Sequence, residues 1–286
     1  MRLRDLENKA TYIIREALSV AKNPATLWST GKDSTTMLYL IREVRPDITV
    51  IHIDTGYKFP EIYEFRDRLA EEWNLNLRVF SNLEARATPF DKRKDARFRC
   101  CMERKIMALK RAIEELKVDY LFVAIRNDEH PVRGKERHFS PRYNADALRM
   151  LSDLYGEDAS WISEEAGKLK NSPAPAWNYL DQPVEIGDIY QLEFPGAHHV
   201  RVHPLLDWNV EDVWAYVRWR NLPVNPLYFR GYSSLGCWPC TKKTMDESRS
   251  LDELIEKVVK VRERGGRAQD KESEDTMQML RAAGYM

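Results

Sequence analysis

Apolar side chains recur at helical spacing over residues 5–21, which predicts an amphipathic helix that is broken at Pro24. ATLW (25–28) reads as a short buried strand, and a helix is expected over 34–43, with Asp33 and Ser34 suited to its first turn. The alternation then repeats. ITVIHID (48–54) reads as a strand, Gly56 as a turn, and 60–73 as a helix that opens on Pro60, where a proline is tolerated. NLRVFS (76–81) is a third strand, 102–116 a helix, and DYLFVAI (119–125) a fourth strand. Strands alternating with helices in this way predict βαβ units, hence an α/β, Rossmann-like fold whose mainly parallel sheet carries helices on both faces. Such sheets bind ligands beyond the carboxyl ends of their strands, and three polar clusters fall there: 29–34, 54–58 and 126–137.

The pattern is helical and polar over about 145–170, an expected insertion, and 171–195 is rich in Pro, Asn, Asp and Gly, as an irregular connection would be. In VHPLLDWNVEDVWAYVRWR (202–220), Asp207 or Asn209 is the expected cap of a helix whose Val213, Trp214 and Val217 stripe is read as core. After Arg249 one or two helices are expected, with a break at Gly265-Gly266. The predicted organisation is an α/β domain over 1–220 and a mostly helical C-terminal segment over 221–286 that carries the CxxC pair and a basic tail.

Charge adds one restriction. Lys+Arg and Asp+Glu both number 45, so the net charge of zero gives no general attraction to polyanions, and any such contact must be local. The N-terminal MRLRDLENK has no apolar signal core, and the longest purely apolar run, LFVAI (121–125), is far too short for a bilayer. A cytoplasmic protein with no membrane contact is expected.

The six residues STGKDS (29–34) sit where a strand hands over to a helix. They are not a Walker loop, because Thr26 stands where its first glycine belongs and Asp33 follows Lys32. The physics still favours an anion: Gly31 permits positive φ or close approach, helix-start N–H groups carry partial positive charge, and Ser29, Ser34 and Lys32 add donors. The plainer alternative is a capped helix with a surface lysine.

STGKDS resembles the PP-loop of the ATP pyrophosphatases. HIDTGYKFPEIYEFRDRLA (52–70), IRNDEHPVRGKERHFSPR (125–142), VHPLLDWNVEDVWAYV (202–217) and GRAQDKESEDTMQMLRAAGYM (266–286) resemble the sulfate adenylyltransferase small subunit and the wider PAPS reductase family, covering most of the chain outside 145–170. The resemblance implies ATP and Mg²⁺ as cofactors. It places the β,γ-phosphates on Ser29, Gly31, Lys32, Asp33 and Ser34, and Asp54 near the nucleotide or its metal. Arg126, Arg133, Lys135 and Arg137 would face the α-phosphate or an anionic acceptor, where guanidinium forks fit oxyanions; without the resemblance they read as a loop ion-paired to Asp128, Glu129 and Glu136. From the tail, Arg262, Arg264 and Arg267 are candidates to close over the site. Asp54, read alone, is a strand-end turn residue bonded to Thr55 or Gly56.

The chain has four cysteines, Cys100-Cys101 and Cys237-x-x-Cys240, a set suited to a four-thiolate metal site in a reducing compartment. CCMERK followed by GCWPCT resembles the pattern with which assimilatory APS reductases bind a [4Fe-4S] cluster, which is the expectation here; zinc is the alternative. The reductases of the family also use a separate catalytic cysteine near the C-terminus, and this sequence has no fifth cysteine. The resemblance therefore implies ATP cleavage to pyrophosphate that activates an acceptor, sulfate or a nucleic-acid phosphate. The leading expectation is sulfur incorporation of the DNA phosphorothioation type, with a cysteine desulfurase partner. The alternatives are sulfate adenylylation with a GTPase subunit, APS or PAPS reduction, and a non-catalytic nucleotide-binding subunit. Homo- or hetero-oligomers are compatible with all of these.

Overall fold

The computed structural model describes residues 1–143, 192–194, 196–268 and 272–282. The expected helical insertion over 145–170 and nearly all of the irregular connection over 171–195 lie outside them.

Six strands form one sheet in the order β3-β2-β1-β4-β6-β5. They are β1 (Pro24–Leu27), β2 (Thr49–Ile53), β3 (Asn76–Phe80), β4 (Tyr120–Phe122), β5 (Phe139–Arg142) and β6 (His199–Val202). All neighbours pair in parallel except β5 and β6, which run antiparallel. The sheet is thus mainly parallel, as the alternating pattern predicts. The two strands not expected from the sequence are β5 and β6. β5 reads FSPR, and its Pro141 is tolerated because β5 ends the sheet and needs no second ladder. In β6 the buried His199 and Arg201 alternate with Val200 and Val202, so a fully buried strand carries half of its positions as polar residues.

Both faces of the sheet are covered. Side chains alternate across each strand, so Trp28, Val50, Phe122, Val200 and Val202 look one way, toward α1 (Arg2–Val20), α2 (Lys32–Arg42), α3 (Pro60–Glu72) and helix Val210–Arg220. Ala25, Ile51 and Leu121 look the other way and pack on Leu109, Ala112 and Ile113 of α5 (Met107–Glu115). Asn209 caps helix Val210–Arg220 by accepting the Asp212 N–H, and Val213, Trp214 and Val217 are buried as predicted. Tyr228, Leu254 and Val258 from the C-terminal segment join the same core. Helices Leu251–Val258 and Glu274–Ala282 flank Gly265-Gly266.

The helix expected over 102–116 begins earlier and is interrupted. α4 (Ala96–Cys101) runs into a π-turn, Met102–Ile106, before α5. A π-turn inserts one extra residue per turn and so changes the direction in which the residues on either side of it face; here it directly follows the vicinal cysteines. Among the described residues no helix is long and apolar enough to cross a membrane.

Candidate functional site

β1 ends at Leu27, and Trp28 is pinned by its own N–H to the Ile51 carbonyl (2.9 Å) and by its indole N–H to the Thr35 hydroxyl (3.0 Å). The chain then turns through Ser29, Thr30 and Gly31 into α2. The residue in the left-handed region is Thr30 (φ 65°), while Gly31 is extended (φ −78°). A β-branched residue at positive φ is strained, and the Thr30 hydroxyl is buried with no partner among the described residues. A Cβ placed on Gly31 would meet only ordinary contacts, Tyr228 Oη at 3.4 Å and Ser29 Oγ at 3.5 Å. Fold packing therefore does not demand glycine there.

The two serines stitch the turn: Ser29 Oγ lies 3.0 Å from Ser34 Oγ, and Ser34 Oγ donates to the Gly31 carbonyl (3.1 Å). At the helix start the Lys32 N–H donates to the Tyr228 hydroxyl (3.0 Å). Lys32 itself is buried, and its ammonium donates to Asp33 (2.8 Å) and to Glu263. Arg126, with no exposed surface, links Asp33, Asp128 (2.9 Å) and Glu263 (2.5 Å). Arg133 pairs with Glu129. Burial opposes the charge on Lys32, but the Asp33 and Glu263 carboxylates outweigh it and push its pKa up. Burial also opposes the charge on Asp33, and Arg126 with Lys32 overcomes it, drawing its pKa down to about 2. Lys32 and Asp33 are therefore both ionised at neutral pH.

One cavity joins this cluster to the thiols: Ser29, Gly31, Asp33 and Ser34 line it together with Cys100, Cys101 and Cys237. Glu129, Arg133, Glu263, Arg264 and Arg267 also face it. Cys237 is held by a bridge to Lys58 and by the Thr55 hydroxyl at 3.2 Å, and the Cys240 N–H closes the turn onto the Cys237 carbonyl (3.0 Å). All four cysteines are free thiols, and burial together with its three cysteine neighbours pushes Cys100 up to about 12. Among the described residues, the His, Cys, Asp and Glu groups whose ligand atoms all fall within 4.8 Å of one another are Asp33, Glu129 and Glu263; no three of the thiols do so.

The structure thus brings Ser29, Gly31, Lys32, Asp33, Ser34, Arg126 and Arg133 together, with Cys100, Cys101 and Cys237 in the lining of the same cavity and Cys240 facing a neighbouring hollow. Two expected residues stand elsewhere. Asp54 is not part of the lining; its carboxylate accepts from the Gly56 N–H and the Tyr63 hydroxyl (2.8 Å each), the strand-end turn role. Arg137 also lies off the cavity, because the chain has by then turned toward β5, and its carbonyl accepts from His203 Nδ1 (2.6 Å). Of the tail arginines, Arg264 and Arg267 reach the lining and Arg262 does not; Arg264 is clasped by Glu272 (2.7 and 2.9 Å). The sequence reading missed Glu263, Glu129 and Tyr228 as site residues. A glutamate between two arginines carries no signal of its own, since only the fold reveals that Glu263 is the tail residue turned onto Lys32.

Residues 23–243 match the phosphoadenosine phosphosulfate reductase domain. The relatives include the sulfate adenylyltransferase subunit 2 of Allorhizobium ampelinum, 30% identical over 99% of this chain and 93% of the relative. That of Zymomonas mobilis is 29% identical over 99% of this chain and 97% of the relative. Among solved structures, the phosphoadenylyl-sulfate reductase of Candida auris, a phosphate complex, superposes with a TM-score of 0.52 at 18% identity, covering 85% of this chain and 96% of that one. The FMN adenylyltransferase of Candida glabrata, with FAD and pyrophosphate, gives 0.55 at 16% identity, covering 89% and 73%. At these identities the superpositions speak for the fold.

Proposed function

Because this chain belongs to the phosphoadenosine phosphosulfate reductase domain family, we propose that it is a nucleotide-transferring enzyme of sulfur metabolism that cleaves ATP to pyrophosphate and activates an anionic acceptor. The observation that carries this reading is the STGKDS turn at the head of α2, whose Ser29, Gly31, Asp33 and Ser34 line one cavity with Arg133 and Glu263, while the buried Lys32 and Arg126 are ion-paired to the Asp33 and Glu263 of its wall. The β,γ-phosphates would rest on residues 29–34 at the positive end of the helix. An acceptor oxygen attacks the α-phosphorus, the new O–P bond forms as the bond to the β-phosphate oxygen breaks, and pyrophosphate leaves with the electron pair. Lys32 and Arg126 neutralise that departing charge, so positioning and electrostatics do the chemistry and no protein nucleophile is needed.

Asp33, Glu129 and Glu263 offer hard oxygen donors close enough together to hold Mg²⁺, which would supply further charge to the phosphates. The four thiols are soft donors that suit a [4Fe-4S] cluster, with zinc as the alternative, and the vicinal pair with a distant CxxC pair favours the cluster. Cys100, Cys101, Cys237 and Cys240 would be its ligands, and the cluster would supply a redox-capable centre beside the reacting phosphates.

That placement of thiols in the phosphate cavity favours sulfur incorporation, of the DNA phosphorothioation type with a sulfur donor such as a cysteine desulfurase, as the purpose of the activation. The second reading takes sulfate as acceptor. It is supported by the relatives' name, which as a second subunit also implies a companion subunit. Lys32→Ala is expected to lower pyrophosphate release from ATP about a hundredfold or more with an unchanged far-UV circular dichroism spectrum; retained release refutes the phosphate assignment. Sulfate-dependent release would select the second reading.

A further inference from the structure

The zero net charge of this chain conceals a strong local excess: residues 86–105 hold eight basic and three acidic residues. Lys92, Lys94 and Arg99 are exposed and make no ion pair among the described residues, whereas Asp91 is consumed by Arg93 and Glu103 accepts from the Arg86 and Ala87 N–H groups. Two large aromatic side chains stand out in the same place, Phe90 at 58% and Trp238 at 48% exposure. Their rings are neighbours, with centroids 5.4 Å apart, and Tyr57 continues the row at 6.0 Å from Phe90.

The platform is built from beneath. The Arg104 guanidinium donates to the Ala85 and Ala87 carbonyls and lies over the Tyr57 ring, and the Trp238 N–H donates to the Tyr57 carbonyl (2.9 Å). Trp238 directly follows Cys237 and Tyr57 precedes Lys58, so the aromatic row borders the thiol end of the cavity. On the other side of Cys240 a second hollow is lined by Arg97, Lys242, Lys243 and Arg267, with no carboxylate in its wall.

We propose that this face binds single-stranded nucleic acid, with bases stacked on Phe90 and Trp238 and the phosphodiester backbone running past Lys92, Lys94 and Arg99 toward the cavity. Exposed rings flanked by cations are what an unpaired strand uses, because every base offers a π-face and every link a phosphate. A duplex keeps its bases stacked inside and would leave the rings without partners. The inference deepens the proposed function by supplying the acceptor class, and it rests on that reading only for the fate of the strand, not for its binding.

The test is fluorescence anisotropy of the full, anaerobically prepared chain with end-labelled 20-nucleotide DNA and RNA strands and their duplexes. The single strand of one or both chemistries is expected to bind, and binding should weaken about fiftyfold from 50 to 200 mM salt if about four phosphates are neutralised. Phe90→Ala with Trp238→Ala should weaken it about tenfold or more. Lys92→Ala with Lys94→Ala changes two exposed lysines and should flatten the salt dependence while leaving the melting temperature unchanged. No strand binding, equal binding of duplex, or indifference to both variant pairs overturns the proposal. ATP cleavage measured on the same preparations separates the two readings: cleavage without strand binding removes this surface alone, and strand binding without cleavage removes the ATP assignment alone.

Discussion

Glu263 occupies the position from which Lys32 and Arg126 would serve phosphate oxygens, and its neutralisation gives a sharp prediction. Each cation donates one charge-assisted hydrogen bond to this carboxylate. Glutamine can still accept from each cation but has lost the carboxylate charge, an ion-pair attraction on the order of 1 kcal/mol per cation. In Glu263→Gln the two cations are held less firmly by roughly 2 kcal/mol, and a polyphosphate no longer has to displace a carboxylate. A non-hydrolysable ATP analogue should bind about thirtyfold tighter in Mg²⁺-free buffer by titration calorimetry. The melting temperature should fall by a few degrees, because the same cations lose their counter-charge. The gain should shrink when Mg²⁺ is added, since the metal needs the oxygen that glutamine lacks. Unchanged or weaker binding without Mg²⁺ would refute the idea that Glu263 competes with phosphate.

Three further outcomes follow from the geometry. Anaerobically purified protein should carry about four irons and four acid-labile sulfides per chain, with broad visible absorption that bleaches on reduction, and Cys237→Ser should lose it; stoichiometric zinc would overturn the cluster reading. Arg133→Ala should slow pyrophosphate release at least tenfold while Arg137→Ala, whose residue lies off the cavity, leaves it within about twofold; equal losses would contradict the placement. Burial pushes His52 and His203 down to about 3, so their stabilising contribution is present above their unfolded pKa near 6.5 and is lost as pH falls toward 3. The two together should lower unfolding free energy by roughly 2.5 kcal/mol between pH 7 and 5.5, and His52→Gln should flatten that slope in denaturant titrations at stepped pH.

β1, β2 and β4 were legible because each lies in a short apolar run, β3 because it follows a helix at the βαβ spacing, and the helices because they show a stripe. β6 escaped because His199 and Arg201 occupy half of it, and β5 because it carries Ser140, Pro141 and Arg142. The 29–34 turn was legible from its residue types as a strand-to-helix junction, although the positive φ falls on Thr30 and not on Gly31; neither position announces that in a sequence. The four cysteines declared themselves by spacing alone. Arg126 and Arg133 could be placed at a strand end, but Arg137, four residues beyond Arg133, could not be told from them, because the bend into β5 is a tertiary event. Glu263 was invisible for the same reason, since its partner Lys32 lies 231 residues away.

That separation also sets a timetable for biosynthesis. The ribosome delivers the phosphate turn, the first thiol pair and Arg126 long before Cys237, Cys240 and Glu263 exist. A nascent chain can fold its first strands and helices, yet its Lys32 and Arg126 then have Asp33 and Asp128 as partners but not Glu263, and only two of the four thiols are present. Only with the C-terminal segment do the Lys32–Arg126 cluster and the set of four thiols acquire their last members, Glu263, Cys237 and Cys240. On the proposed reading, a product truncated before Cys237 would lose nucleotide handling and cluster retention together, which ties competence to completion of the tail.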